Sequence, residues 1–195
     1  MEREVLCTGI GGQGVQLAAR TLAVAAVDEG REVMVFGSYG GMMRGGNTDA
    51  TVVVGDGPLR APPTVARAWS ALAMHPEYWP PVRDRLRQGG VAVVDAGTFG
   101  YDVSVPGCHV VAVDAAAVAA EHDAPRAAAM VALGVFVAAT ALVGLESLLD
   151  AAGAVLPTYR RQHAEANRRA LVAGHGSVAA PLADAWSQAV AGAGR

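Results

Sequence analysis

Apolar positions along the chain follow two alternating periods. A short β-leaning run, Glu4–Thr8, ends in glycines, and Val15–Glu29 then takes helical spacing with Leu17, Leu22, Ala25 and Ala26 on one face. Gly30 closes that helix. Glu32–Phe36 and Thr48–Val54 read as second and third strands, the latter stopped by the turn Gly55-Asp56-Gly57-Pro58. Trp69–Met74 and Val91–Asp95 predict two more strands with a helix over Tyr78–Arg87 between them. Val110–Asp114 predicts a sixth, leading into a helix over Ala115–Glu121. Beyond Pro125 the pattern turns helical over Arg126–Val143, Leu145–Val155 and Thr158–Ala173, with a further short helix at Leu182–Val190. Strands separated by helices imply a largely parallel sheet covered on both faces: an α/β, Rossmann-like fold with a helical C-terminal third. With no repeat and no dividing linker, residues 1–175 read as a single α/β domain and residues 176–195 as an Ala/Gly-rich tail.

Composition narrows the chemistry. The 195 residues are 52% hydrophobic and 17% charged, which excludes a disordered chain, and only 5% are aromatic, so the core must be built from Ala, Val and Leu. All 15 basic residues are arginine. A lysine Schiff base and a G-x-x-x-x-G-K-[ST] phosphate loop are therefore excluded. A net charge of −3 argues against a nucleic-acid partner, which needs a basic face. The two cysteines, Cys7 and Cys108, are too few and too far apart for an iron–sulfur cluster or a zinc site within this chain, and the chain reads as cytoplasmic. Ala127–Gly144 is uncharged, but it is short for a membrane span of ~20 apolar residues and reads as a buried core helix.

Gly9-Ile10-Gly11-Gly12-Gln13-Gly14 satisfies G-x-G-x-x-G between a strand and a helix. Glycines let the backbone approach an anion, and the helix N-terminus offers unpaired N–H groups and a positive dipole end. The same residues also make a tight turn with no ligand. A nicotinamide enzyme would place an acidic residue ~20 positions on, at the end of the second strand, to hold the ribose. Here that strand ends Phe36-Gly37-Ser38-Tyr39, without a carboxylate. A second cluster follows, Ser38-Tyr39-Gly40-Gly41-Met42-Met43-Arg44-Gly45-Gly46, in which one arginine offers an anion-binding fork or simply a solvated loop charge.

These two motifs, in this order, resemble the gamma subunit of the 2-oxoacid:ferredoxin (or other acceptor) oxidoreductases, the pyruvate/ketoisovalerate group. The likeness continues through Gly89-Gly90-Val91, Val93-Val94-Asp95, Met130-Val131-Ala132-Leu133-Gly134, Leu145-Glu146-Ser147-Leu148 and the late helix holding Asn167. The resemblance implies a complex that decarboxylates a 2-oxoacid on thiamine diphosphate, passes electrons through iron–sulfur clusters to ferredoxin or another acceptor, and delivers the acyl group to coenzyme A. It implies that thiamine diphosphate, Mg²⁺ and the clusters reside in partner subunits, among them thiamine-binding and transketolase-like chains. For this chain it implies a share in coenzyme A binding, with Gly9, Gly11, Gly12, Gln13, Gly14, Ser38, Tyr39, Arg44, Gly45 and Gly46 as the contacting residues, and no catalytic group. Two other readings stay open: a stand-alone NAD(P)-type reductase, and a purely structural subunit.

Other groups weigh less. Gly55-Asp56-Gly57 begins like a thiamine diphosphate motif but lacks its asparagine pair, since Asn47 and Asn167 are the only asparagines, and reads as a turn. His75, at a strand end, reads as a capping or loop residue. His163, among Arg160, Arg161, Arg168 and Arg169, reads as a solvated or subunit-facing surface.

Overall fold

The computed structural model describes residues 1–39, 45–60 and 65–187. A six-stranded sheet is ordered β2-β3-β1-β4-β5-β6. Its strands are β1 (Glu2–Ile10), β2 (Glu32–Tyr39), β3 (Asn47–Gly55), β4 (Ala68–Ala73), β5 (Leu86–Asp95) and β6 (His109–Val113). The helices are α1 (Val15–Asp28), α2 (Trp79–Arg83), α3 (Ala96–Phe99), α4 (Ala115–Glu121), α5 (Ala128–Thr140), α6 (Leu145–Ala154) and α7 (Ala164–Gly176), with 3₁₀ turns at Pro76–Tyr78 and Thr158–His163.

The α/β class holds, but the sheet is mixed. β1, β4, β5 and β6 are mutually parallel, whereas β3 is antiparallel to both β1 and β2 and lies between them. The reason is connection length. Only residues 40–46 join β2 to β3, and a parallel neighbour needs a crossover of a dozen or more residues, so a hairpin is the available route.

Two cores flank the sheet. On one face, α1, α5 and their neighbours cover Val5, Cys7, Val52 and Val54; on the other, Trp79, Val82 and Phe99 cover Leu6, Val53, Ala92 and Val94. α5 is apolar on every side because it is buried on every side, from Ala129 through Thr140. Among the described residues no helix is long and apolar enough to cross a membrane.

Three helix expectations are corrected. The helix expected over Tyr78–Arg87 is helical only at Trp79–Arg83, and Leu86 already belongs to β5. There Gly89 takes φ +74°, and a Cβ on Gly90 would lie 2.2 Å from Trp69 O, so this glycine pair lets the strand shift register and continue. The helix expected from Thr158 opens as a 3₁₀ turn and becomes α-helical only at Ala164. Of Leu182–Val190, the described part is not helical. α5 ends at Ala141 in the left-handed region and leaves carbonyls to satisfy. The segment supplies the donors: Leu182 N–H and Ala183 N–H bond Ala139 O (2.8 and 3.2 Å), and Ala185 N–H bonds Thr140 O (2.7 Å). Trp186 then donates its indole N–H to Leu142 O and lies under the Arg31 guanidinium, 3.9 Å from the ring centroid.

Candidate functional site

The glycine turn joins β1 to α1. Gly12 and Gly14 take φ of +103° and +87°, which favours glycine, and Gly14 is the N-cap of α1. Gly9 is glycine for want of space: a Cβ there would lie 2.6 Å from Gln13 Oε1 and 3.0 Å from Met74 Cβ. α1 starts with no side-chain cap and no acidic residue in its first turn, so its positive end is not neutralised from within the helix. Gln13 spans the turn: its Oε1 accepts Ile10 N–H and its Nε2 donates to Met74 O, both at 2.9 Å.

β3 brings the second glycine motif to this turn. Although β3 separates β2 from β1, its reversed direction places its first residues at the carboxyl ends of both. Gly11 N–H donates to Gly46 O at 2.9 Å, and Gly45 beside it takes φ +88°. Ser38 and Tyr39 end β2, paired with Asp49 and Thr48. Thus Gly9, Gly11, Gly12, Gln13, Gly14, Gly45 and Gly46 converge, with Ser38 and Tyr39 two strands away from β1. Arg44, with Gly40, Gly41, Met42 and Met43, lies outside the described residues.

A carboxylate does stand near the turn, from a strand the sequence pattern did not implicate. Asp49 on β3 accepts Thr8 Oγ1–H at 2.6 Å and Asn47 Nδ2–H at 2.8 Å, while its backbone oxygen accepts Gln16 Nε2–H at 2.7 Å. The Asn47 Oδ1 atom on the other side of that amide is buried and has no partner among the described residues. No spacing rule signals this cluster, because it depends on the antiparallel register that puts Thr8 opposite Asp49.

The crossover from β1 runs through α1 to the β2 side, and that from β4 runs through α2 to the β5 side. The carboxyl ends of β1 and β4 therefore flank a topological switch point, where open α/β sheets form their ligand crevice. One wall is the glycine turn. The other is the chain leaving β4, Met74-His75-Pro76-Glu77-Tyr78. His75 caps the 3₁₀ turn, its Nδ1 accepting Glu77 N–H at 3.3 Å, as the capping reading expects. Burial raises the Tyr78 hydroxyl above the usual tyrosine range, and the negative charge of Glu77 adds to the effect.

Asp95, at the end of β5, fixes the far side. Burial raises its carboxyl above the ordinary aspartate range against the opposing effect of Ala115 N–H (3.1 Å) and Gly97 N–H. Thr98 Oγ1 lies 2.9 Å from both Asp95 O and Met74 O. Cys7 faces a core and its thiol is pushed up to about 12 by burial, so it is no nucleophile at neutral pH. In the 3₁₀ turn before α7, Arg160, Arg161 and His163 are exposed, whereas on α7 Arg168 bonds Leu149 O (2.8 Å) and Arg169 bonds the His122 and Asp123 carbonyls (3.1 and 2.9 Å).

Comparison with known proteins decides the family. The pyruvate ferredoxin/flavodoxin oxidoreductase family model matches residues 4–177. The chain belongs to that family. Within it, the common gamma subunit of the pyruvate/ketoisovalerate oxidoreductases of Thermococcus kodakarensis is 30% identical over 155 residues, covering 76% of this chain and 83% of that one. The ketoisovalerate oxidoreductase subunit VorA of Methanothermobacter thermautotrophicus is 33% identical over 145 residues; the match covers 74% of this chain but only 30% of that longer relative. A crystal structure of a keto/oxoacid ferredoxin oxidoreductase gamma subunit from Geobacter sulfurreducens superposes with a TM-score of 0.76 at 29% identity, covering 91% of this chain and 97% of that one. The fold also recurs in the 2-oxoglutarate:ferredoxin oxidoreductase of Magnetococcus marinus, solved with 2-oxoglutarate, coenzyme A and succinyl-CoA. There the TM-score is 0.80 at 20% identity, over 96% of this chain and 33% of that chain.

Proposed function

We propose that this chain is the gamma-type subunit of a 2-oxoacid:ferredoxin or other acceptor oxidoreductase complex, where it helps bind coenzyme A and assemble the complex. The observation that carries the reading is the Gly11–Gly46 hydrogen bond, which closes the two glycine motifs around the uncapped N-terminus of α1. Unneutralised N–H groups and the positive end of α1 suit the pyrophosphate of coenzyme A. Arg44, from the second motif, adds a guanidinium fork for the 3′-phosphate. Ser38 and Tyr39 end the neighbouring strand β2. Coenzyme A supplies the thiol that accepts the acyl group, and this chain's share is to bind and orient it.

In this reading thiamine diphosphate, Mg²⁺ and the iron–sulfur clusters belong to partner subunits in the cytoplasm, and ferredoxin or another acceptor receives the electrons through the complex. Membership of the family supports this, as does the length of relatives such as VorA, in which the matched unit is part of a larger chain. The stand-alone reductase finds less support, because β2 ends at Tyr39 without the carboxylate that would hold a nicotinamide ribose.

The test is reconstitution. The purified chain should show no 2-oxoacid oxidation with thiamine diphosphate, Mg²⁺, coenzyme A and an artificial acceptor, and should co-purify with thiamine-binding and transketolase-like chains. Turnover by the chain alone, or a monomer that ignores those chains in a pull-down, would overturn the assignment.

A further inference from the structure

We propose that His75 and Tyr78, with Glu77 between them in the chain, form the base-binding wall of the crevice and take the adenine ring of the nucleotide whose phosphates lie on the glycine turn. The proposal rests on the coenzyme A reading above and deepens it by assigning the two ends of the ligand to opposite walls.

Placement comes first. Met74, the residue before His75, is tied to the other wall twice: its N–H donates to Thr8 O at 2.8 Å, and its carbonyl accepts Gln13 Nε2–H at 2.9 Å. The chain leaving β4 is thus fixed one residue away from the turn, on the opposite side of the switch point.

The ring chemistry suits a purine. The two rings stand 6.2 Å apart, centroid to centroid, at 39°, and both residues are half-buried, so part of each side chain is accessible. A purine can stack on an accessible aromatic ring whatever its substituents. The bond from Glu77 N–H to His75 Nδ1 assigns the neutral tautomer, leaving the proton on Nε2 as a donor to a ring nitrogen.

Charge sets the orientation. Glu77 is exposed beside both rings in the chain, so this wall carries a carboxylate of its own. A phosphate would be repelled there and drawn to the α1 N-terminus across the crevice. A neutral adenine whose exocyclic amine donates to a carboxylate meets no such penalty.

Titration calorimetry on the full-length chain tests this with two probes, coenzyme A and 4′-phosphopantetheine, which lacks the adenosine. The wild-type chain should bind coenzyme A more tightly. Tyr78→Ala should weaken coenzyme A by about tenfold and leave 4′-phosphopantetheine unchanged, while Tyr78→Phe should keep both. Should Tyr78→Ala fail to fold, His75→Ala provides the same differential reading. Coenzyme A bound equally well with and without these side chains would overturn the wall and leave the glycine-turn reading standing. So would equal wild-type affinity for the two probes. A wild-type chain that takes neither probe would overturn both.

Discussion

Gly174 on α7 lies against Val131 on α5 so closely that a Cβ at position 174 would sit 2.0 Å from the Val131 carbonyl oxygen; Gly134 stands in the same relation to Leu171 O, at 2.2 Å. Two glycines, one from each helix, let the backbones touch. In each case the obstructing atom is backbone, which cannot rotate away. Gly174→Ala and Gly134→Ala should therefore each push α5 and α7 apart and lower stability by about 1–3 kcal/mol. Urea unfolding followed by circular dichroism would show a lower midpoint at an unchanged slope.

Gln13 should matter for the turn as much as for any ligand. Its amide satisfies Ile10 N–H and Met74 O together. Gln13→Ala leaves both without that partner and should cost about 1–3 kcal/mol. Gln13→Glu keeps the acceptor but loses the donor to Met74 O, so it should fall between wild type and alanine. Thermal melts of the three proteins would show that order; equal midpoints would remove the structural role.

Arg44→Ala should raise the coenzyme A Kd roughly ten- to a hundredfold, the loss of a charge-assisted contact worth ~1.5–3 kcal/mol. Arg44→Lys should rescue only part of it, because an ammonium keeps the charge without the planar fork. Steady-state kinetics on the reconstituted complex, varying coenzyme A and 2-oxoacid separately, would localise the effect. A change confined to the 2-oxoacid KM would move Arg44 to the mouth of a partner's thiamine site.

Cys7 predicts an alkaline limit to stability. Its thiol ionises near 9 when exposed and is pushed up to about 12 in the fold. Between those values the unfolded chain releases a proton that the folded chain keeps. The contribution is complete below pH 9 and is lost as pH rises toward 12, at up to about 1.4 kcal/mol per pH unit. Unfolding measured at pH 8 and pH 10 should show a steeper decline in wild type than in Cys7→Ala. Thiol labelling of the native chain at pH 8 should modify Cys108, which is partly exposed, and spare Cys7.

Much of this was legible because local patterns sufficed. The stripe of Leu22, Ala25 and Ala26 located α1, and the apolar run around Met130–Val143 located a helix buried on all sides. The glycine motif announced the strand–turn–helix joint that carries the candidate site. What could not be read depends on neighbours distant in sequence. The direction of β3 follows from loop length and not from its own residues, and with it goes the Thr8–Asp49 pairing. Tyr78–Arg87 has helical spacing, yet the Gly89-Gly90 pair and the approach of Trp69 O draw Leu86 into the sheet. His75 reads from the sequence as a capping or loop residue, and it caps the 3₁₀ turn; its place opposite the glycine turn comes from the pairing of β1 with β4, which no periodicity encodes.

The ladder that pairs Ile10 with Asn47 would, if carried one rung further, set Gly11 opposite Gly46, and that is where their hydrogen bond falls. The two glycine motifs are ruled lines on the same scale as the sheet. A one-residue insertion within β3 would face a choice: keep the ladder and displace the turn, or keep the turn and flip the remaining side chains of β3 to the wrong core. An insertion among residues 40–44 changes neither alignment. The site's tolerance to length change is therefore set by its distance from the rungs: the alignment survives an insertion ahead of Arg44, and none from Gly45 onward.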